Sequence, residues 1–277
     1  MKVVLAKHAG FCMGVRRAVE TTLRLVETRQ SPISTFGPLI HNPQVLEMLA
    51  EKGVDVMEEV PVSTTGTVVI RAHGVPPARK LRLQESGAVI EDATCPRVVK
   101  VQAIINKYQR LGYTTVIVGD RDHAEVEGLI GHAGAAGLVV SRMTDLDGLQ
   151  LKAPYIVVSQ TTQDEEMFRA ITAEILARYP GGKVFNTICD STHKRQDEVR
   201  NMCREVDALV VVGGRNSANT KRLAEIAAGL NCPVFLVETE DELDPAKLRG
   251  YQCVGVTAGA STPAWIIRQV VATLNAI

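Results

Sequence analysis

Short apolar runs alternate with longer amphipathic stretches along the whole chain. The apolar runs predict strands at TVVI (67–70), TTVIVG (114–119), YIVVSQ (155–160), ALVVVGG (208–214), VFLVE (234–238) and CVGVTAG (253–259). Helical spacing of apolar residues predicts helices at PQVLEMLAEKG (43–53), EVEGLIGHAG (125–134), EEMFRAITAEILARY (165–179) and TKRLAEIAAGL (220–230). Strands that alternate with helices in this way are typical of an α/β protein.

The same order of elements occurs three times. A strand, a polar loop and a helix follow one another in residues 33–54, 114–134 and 208–230, and a second strand with a polar turn follows in 68–76, 156–165 and 254–265. We therefore predict three α/β repeats, with boundaries at 13–96, 97–193 and 194–277. Residues 1–12 are expected to complete the third repeat, because they supply the element that its C-terminal end lacks.

Three cysteines occupy matching places in these repeats. Cys95, in EDATCPRVVKVQ, and Cys189, in NTICDSTHKRQDEVR, each lie at the start of a predicted helix after the second strand of a repeat. Cys12, in AKHAGFCMGVRRAV, has the corresponding position. Three thiolates brought to one centre favour a metal site, and the absence of a fourth suggests a 4Fe–4S cluster with one iron open to substrate. A three-cysteine zinc site and three unconnected buried thiols remain alternatives.

The remaining cysteines, Cys203, Cys232 and Cys253, have no matched placement, and we expect them to be ordinary core thiols. No pair of cysteines has the CxxC spacing, which argues against zinc ribbons and thioredoxin-like chemistry.

Polar residues recur in the loops that lead into helices. These are His41 and His73 in the first repeat, His123 in the second, and Ser217, Asn219 and Ser261 in the third. Helix N-termini carry free N–H groups and partial positive charge, so a set of such loops predicts a phosphate or diphosphate site. Each residue alone also fits a capping or core role, and Ser261-Thr262-Pro263 is typical of a helix cap followed by proline.

Glu125 lies two positions after His123, at a predicted helix start. It is a candidate proton donor if burial raises its pKa, or a glutamate that simply favours the helix N-terminus. Thr161 is either a hydroxyl that relays the proton of an acid or a helix cap. A solvated charged face accounts for Lys194 and Arg195, which follow Cys189.

Charge and hydropathy exclude several classes of protein. The chain has 277 residues with 31 basic and 31 acidic side chains, so its net charge is zero, which disfavours a nucleic-acid binder with a broad basic face. No apolar run approaches the roughly 20 residues that span a bilayer, and Lys7 and His8 interrupt the first apolar run, unlike a signal peptide. We therefore expect a cytoplasmic protein without nucleic-acid or membrane partners.

The motifs together resemble one family. Nine segments, spread over essentially the whole chain, are similar to segments of the 4-hydroxy-3-methylbut-2-enyl diphosphate reductase family of the non-mevalonate isoprenoid pathway. They are AGFCMGVRRAV, GPLIHNPQV, IRAHGVP, DATCPRV, GDRDHAEVEG, SQTT, CDSTHKRQ, NSANTKRLAEIA and TAGASTP. The resemblance implies three α/β units in a trefoil around a central iron–sulfur cluster. It implies one 4Fe–4S cluster per chain on Cys12, Cys95 and Cys189.

The resemblance also implies roles for the loop residues. Diphosphate-binding positions match His41, His73, His123, Ser217, Asn219 and Ser261, and the proton-delivery glutamate matches Glu125, supported by Thr161, which also counts among the substrate-binding residues. Two positions depart from the common family pattern, since Ala124 replaces a frequent proline and Ala218 a frequent serine.

The implied reaction is a reductive dehydration that gives isopentenyl and dimethylallyl diphosphate. Electrons would come from a ferredoxin or flavodoxin, because no flavin or nicotinamide motif is visible. The alternatives are a non-redox iron–sulfur hydratase or dehydratase, a cluster-binding phosphate sensor without turnover, and a zinc hydrolase.

Overall fold

A computed structural model describes residues 1–29 and 31–277. Its strands are β1 Lys2–Leu5, β2 Ile33–Phe36, β3 Val54–Met57, β4 Thr67–Ile70, β5 Val89–Asp92, β6 Thr114–Val118, β7 Gly137–Val140, β8 Tyr155–Ser159, β9 Lys183–Val184, β10 Ala208–Val212, β11 Val234–Val237 and β12 Cys253–Ala258. Its helices are α1 Met13–Thr28, α2 Pro43–Glu51, α3 Pro77–Glu85, α4 Pro96–Arg110, α5 Ala124–Ala133, α6 Glu165–Arg178, α7 Asp190–Met202, α8 Ala218–Gly229, α9 Pro245–Leu248 and α10 Ala264–Ala276.

The strands of the described chain form three four-stranded sheets that share one topology. Their orders are β3-β2-β4-β5, β7-β6-β8-β9 and β11-β10-β12-β1, and every neighbouring pair is parallel. In the third sheet the N-terminal strand β1 takes the edge position that β5 and β9 take in the others, with Lys2 opposite Cys253 and Leu5 opposite Val256. The predicted α/β class and threefold repeat are confirmed, whereas the residue boundaries of the repeats stay predictions.

Burial explains which strands the sequence reveals. Strands β4, β8 and β10 lie in the interior of their sheets, and all their residues are buried. Apart from Thr67 at the start of β4 and Ser159 at the end of β8, these strands are continuous apolar runs, as expected for parallel strands covered on both faces. Edge strands β3, β5 and β9 are short and partly exposed, and the hydrophobic pattern does not predict them.

Helices cover the sheets with one apolar face each. On α4, Val98, Val101 and Ile105 recur at helical spacing and are buried. Val101 and Ile105 belong to one apolar cluster with Ile117 of β6 and Leu129 of α5. Among the described residues, four helices begin with proline, whose missing N–H costs nothing in the first turn.

Contacts divide the chain into two compact units. One comprises residues 1–16, 41–46 and 190–277, and the other residues 17–40 and 47–189. Among the described residues, no helix is both long enough and apolar enough to cross a membrane.

Candidate functional site

The three matched cysteines sit in the same local structure. Each directly precedes a helix, namely α1, α4 or α7. The backbone N–H of Cys12 donates to Ala260 O at 3.1 Å, that of Cys95 to Ala72 O at 2.9 Å, and that of Cys189 to Thr161 O at 2.9 Å. Each acceptor lies two residues after the end of the third strand of its repeat, β12, β4 or β8. The fold therefore holds the three cysteines equivalently.

Helix α7 anchors the loop that carries Cys12. The Glu198 carboxylate accepts from the backbone N–H groups of Lys7 at 2.6 Å and His8 at 3.0 Å. The Arg195 guanidinium donates to Gly10 O at 2.6 Å and is 4% exposed. The expectation of a solvated Arg195 was wrong, because its guanidinium serves backbone carbonyls of the Cys12 loop and of α7.

The cysteines fit an iron–sulfur cluster by the chemistry of their donor set. Cys12, Cys95 and Cys189 are partly exposed and lie outside any disulfide of the described chain. Cys12 Sγ also accepts a hydrogen bond from the Val15 N–H at 3.5 Å. Such a hydrogen bond stabilises a thiolate, and in iron–sulfur proteins hydrogen bonds to sulfur help to set the reduction potential of the cluster. Cys203, Cys232 and Cys253 are free thiols, and Cys203 and Cys232 pack in an apolar cluster of the third repeat.

The first loop of each repeat has a common design. His41, His123 and Ser217 are each the fifth residue after strands β2, β6 and β10, respectively. His123 Nδ1 accepts the Glu125 N–H at 3.1 Å and Ser217 Oγ the Thr220 N–H at 3.4 Å, so both cap their helices. In the first repeat Asn42 is the cap, through the Val45 N–H at 3.0 Å. His41 stands just outside helix α2, which begins at Pro43 as predicted.

The second loop of each repeat begins with one tight turn. A backbone N–H donates to the carbonyl three residues earlier in Gly74–Arg71, Gln163–Gln160 and Thr262–Gly259. His73 and Ser261 take the same position in this turn, two residues after its start. The two turns therefore present His73 and Ser261 from equivalent places.

Ser261 and Thr262 do not cap helix α10, in contrast to the sequence pattern. The Ser261 hydroxyl donates to His41 O at 3.0 Å and the Thr262 hydroxyl to Val212 O at 2.9 Å. Helix α10 starts at Ala264 without a side-chain cap.

Asn219 is buried in the first turn of α8, with 3% of its surface exposed. Among the described residues its Nδ2 group has no hydrogen-bond partner. An unpaired buried amide costs free energy unless a ligand satisfies it. This placement suits a residue that binds an anion at the helix N-terminus.

Glu125 lies in the first turn of α5 and is only 2% exposed. Its Oε1 accepts from the Thr161 N–H at 2.6 Å and its Oε2 from the Thr161 hydroxyl at 2.7 Å. Burial raises the pKa of Glu125 from 4.5 to about 7, against the lowering effect of the two Thr161 donors. Thr161 is not a cap, because α6 begins later and Asp164 caps it.

His73 and His123 lie side by side. Their rings meet edge to face with centroids 5.2 Å apart. Because His123 Nδ1 accepts a hydrogen bond, a neutral His123 carries its proton on Nε2, which leaves that atom as a donor. His73, His123, Glu125 and Thr161 are therefore assembled in one compact unit, together with Cys95 and Cys189. Cys12, His41, Ser217, Asn219 and Ser261 belong to the other unit.

Comparison with known proteins agrees with this layout. The family model described as LytB protein matches residues 3–275. A 4-hydroxy-3-methylbut-2-enyl diphosphate reductase of Pelobacter propionicus is 42% identical over 277 residues, which is 100% of this chain and 99% of the relative. The enzyme of the same name from Aquifex aeolicus is 41% identical over 279 residues, with coverage of 99% and 96%.

Two solved structures share the fold. The E-1-hydroxy-2-methyl-but-2-enyl-4-diphosphate reductase of Plasmodium falciparum superposes with a TM-score of 0.93 and 27% identity, covering 98% of this chain and 87% of that one. An (E)-4-hydroxy-3-methyl-but-2-enyl diphosphate reductase, described as the terminal enzyme of the non-mevalonate pathway, has a TM-score of 0.72 and 40% identity over 100% of both chains. The chain therefore belongs to the LytB protein family of 4-hydroxy-3-methylbut-2-enyl diphosphate reductases, and the resemblance of its motifs is confirmed.

Proposed function

We propose that this protein reduces 4-hydroxy-3-methylbut-2-enyl diphosphate to isopentenyl and dimethylallyl diphosphate. The observation that carries the proposal is the buried Glu125 carboxyl, which has a pKa of about 7 and two hydrogen bonds from Thr161. A carboxyl with this pKa can keep its proton at neutral pH and deliver it to a leaving hydroxyl. Family membership supplies the substrate class.

The diphosphate is held by the loop residues His41, His73, His123, Ser217, Asn219 and Ser261. They stand at or near helix starts, where backbone N–H groups and the helix dipole favour an anion. The buried Nδ2 group of Asn219, which has no hydrogen-bond partner among the described residues, donates to the diphosphate. Holding the diphosphate fixes the allylic end of the substrate, which is how positioning lowers a barrier.

The departures from the family pattern leave these helix starts intact. Ala124 and Ala218 are the first residues of α5 and α8, directly after the caps His123 and Ser217. Alanine fits a first helical position as proline or serine does. Ala218 adds no hydroxyl, so Ser217 and Asn219 are the side chains that this loop offers to a phosphate.

Cys12, Cys95 and Cys189 hold one 4Fe–4S cluster. When bound, this cluster supplies the electrons, one at a time, and a Lewis-acidic iron. A ferredoxin or flavodoxin in the cytoplasm delivers those electrons.

The proton path follows from the Glu125–Thr161 contact. The reaction breaks one allylic C–O bond, forms one C–H bond, and consumes two electrons and two protons for each water released. When Glu125 is protonated, its carboxyl donates to the Thr161 hydroxyl oxygen, 2.7 Å away, and that hydroxyl passes its own proton on to the leaving group. Burial of Glu125 excludes water that would otherwise exchange this proton.

The test is turnover of the anaerobically purified protein with reduced methyl viologen. Glu125→Gln should lower turnover about 100-fold or more while iron, sulfide and visible absorption stay at wild-type levels. Glu174→Gln, which alters an exposed glutamate paired with Arg178, is the matched control and should leave turnover unchanged.

Other outcomes identify the rival functions. Turnover that needs no reductant would indicate a hydratase or dehydratase. Diphosphate binding without turnover would indicate a sensor, and stoichiometric zinc without iron would indicate a hydrolase. Full activity of Glu125→Gln would remove Glu125 from the mechanism.

A further inference from the structure

Arg71 lies at the centre of the His73 turn. It is the first residue after β4 and is only 8% exposed. Its carbonyl accepts the Gly74 N–H at 3.0 Å, and its Nε donates back to Gly74 O at 3.3 Å. The turn that carries His73 is thus closed twice, once by backbone and once by the Arg71 side chain.

The same guanidinium reaches helix α5. Arg71 Nη2 donates to Glu127 Oε2 at 3.0 Å. Glu127 in turn donates its backbone N–H to His123 O at 3.0 Å, in the first turn of that helix. A continuous chain of bonds therefore runs from the His73 turn through Arg71 and Glu127 to His123.

Packing shows that the turn rests directly on α5. A side-chain methyl at Gly128 would lie 3.6 Å from His73 O, and one at Gly131 would lie 2.6 Å from Pro76 Cβ. The contact at Gly128 is an ordinary van der Waals distance, whereas only glycine at position 131 allows Pro76 to approach the helix so closely. The Arg71–Glu127 bridge lies beside this close contact and restricts how the turn can slide along the helix.

We infer that Arg71 is a positioning residue that fixes the His73 turn on helix α5, so that the rings of His73 and His123 meet a diphosphate at one set separation. This inference rests on the proposed function, because it assigns Arg71 to the diphosphate site through the two histidines. Arg71 acts through its neighbours and is not itself a catalytic residue.

The geometry requires arginine rather than any cation. Two nitrogens of the planar guanidinium donate to two different acceptors, Gly74 O and Glu127 Oε2. The lysine ammonium is a single point charge on a flexible stem, so it cannot reproduce both directed bonds of the rigid fork. Arg71→Lys should therefore keep the charge and lose the positioning.

The chain offers a matched control. Arg79 Nη2 also pairs with Glu127, at 2.8 Å, but its side chain is 44% exposed and it does not bond to the His73 turn. In Arg71→Gln, Glu127 keeps Arg79 as partner, and in Arg79→Gln it keeps Arg71. The two variants therefore remove the same kind of ion pair from the same carboxylate, and only one of them releases the turn.

The experiment measures binding of inorganic diphosphate by calorimetry, and kcat and KM for the allylic diphosphate, on the anaerobic holoenzyme. Arg71→Gln and Arg71→Lys should raise the Kd for diphosphate roughly tenfold or more and lower kcat/KM at least as far, since a misplaced diphosphate also misplaces the allylic end of the substrate. Arg79→Gln should stay within about twofold of the wild type. Glu127→Ala removes the acceptor of the bridge and leaves the Arg71–Gly74 bond, so it should raise the Kd in the same direction as Arg71→Gln, and the double variant should be no worse than Arg71→Gln alone. Glu127→Ala also tests the bridge if Arg71→Gln does not fold.

Ring ¹⁵N signals of His73 and His123 provide a readout that needs no turnover. They should move in Arg71→Gln and stay in place in Arg79→Gln. A wild type that neither binds diphosphate nor turns over would refute the proposed function, and the histidine signals would still decide the positioning role. Equal effects of Arg71→Gln and Arg79→Gln, or wild-type behaviour of Arg71→Lys, would overturn the inference.

Discussion

The Thr161 hydroxyl should lower the pKa of Glu125. Thr161→Val removes this hydroxyl with little change in side-chain volume. In the wild type the hydroxyl donates to Glu125 Oε2 at 2.7 Å, while the Thr161 N–H donates to Oε1 at 2.6 Å. The valine variant keeps the backbone donor and the burial of the carboxyl. It therefore isolates the contribution of one hydroxyl to the ionised form of Glu125.

The size of the effect follows from the energy of that bond. A hydrogen bond to a charged group contributes about 1.5–3 kcal/mol, and one pKa unit corresponds to about 1.4 kcal/mol. Loss of the donor disfavours the carboxylate, so the pKa of Glu125 should rise by roughly 1–2 units. Starting from about 7 in the wild type, the variant should keep Glu125 protonated well into the alkaline range.

Because Thr161→Val also lacks the hydroxyl that relays the proton, its turnover should fall, and the assay is the pH dependence of the remaining kcat/KM, whose alkaline limb reports the acid of the free enzyme. A ¹³C titration of labelled glutamate carboxyls, with Glu125 assigned through Glu125→Gln, gives the same pKa without turnover. Thr161→Ser keeps the hydroxyl and should leave the limb near pH 7. The reasoning is refuted if the valine variant keeps the wild-type limb, or if serine shifts it as far as valine does.

Three further predictions concern stability and binding. Because the pKa of Glu125 is raised from 4.5 to about 7, its contribution to the free energy of unfolding is complete below pH 4.5 and is lost as the pH rises towards 7, by roughly 3 kcal/mol in all. Urea unfolding at several pH values measures this dependence, and Glu125→Gln should abolish it. Asn219→Ala should weaken diphosphate binding about tenfold or more without lowering the unfolding free energy, since the buried Nδ2 group has no hydrogen-bond partner among the described residues; an unchanged Kd would contradict this. Gly259→Ala should lower the free energy of unfolding by about 1–3 kcal/mol, because its methyl would lie 2.0 Å from Thr220 Oγ1. Gly229→Ala should not lower it, because no atom lies within 4 Å of the added methyl, and equal unfolding midpoints of the two variants would refute the packing argument.

The hydrophobic pattern predicted the interior strands and missed most edges. TVVI and ALVVV are buried along their whole length, and apart from Thr67 every residue in them is apolar. At the edges, VIED of β5 and KV of β9 are partly or fully exposed and mix polar with apolar residues. A short exposed strand is stabilised by its pairing with a neighbour, and that pairing has no local sequence signal.

Loop placement was predictable where the repeat was visible. The cysteines, His123 and Ser217 were expected at helix starts from their matched positions, and they lie there. The roles of Arg71 and Arg195 were not predictable, because a buried arginine has the same sequence appearance as an exposed one. Their partners are a carboxylate and backbone carbonyls distant in the chain, and only tertiary structure brings them together.

Ser261 and Thr262 show why local motifs mislead. Their sequence is that of a helix cap, yet both hydroxyls donate to carbonyls far away in the chain, His41 O and Val212 O. A helix cap uses the hydroxyl oxygen as an acceptor of helix N–H groups, whereas here both hydroxyls are donors to distant carbonyls, and the local motif has no signal for those tertiary partners.

The most direct test of the account is the number of electrons consumed for each product formed. The anaerobic protein is mixed with 4-hydroxy-3-methylbut-2-enyl diphosphate and reduced methyl viologen, and both viologen oxidation and the products are counted. The account predicts two viologens oxidised for each isopentenyl or dimethylallyl diphosphate formed, and no product with Cys95→Ser. Product formed without viologen oxidation, or undiminished turnover of Cys95→Ser, would contradict it.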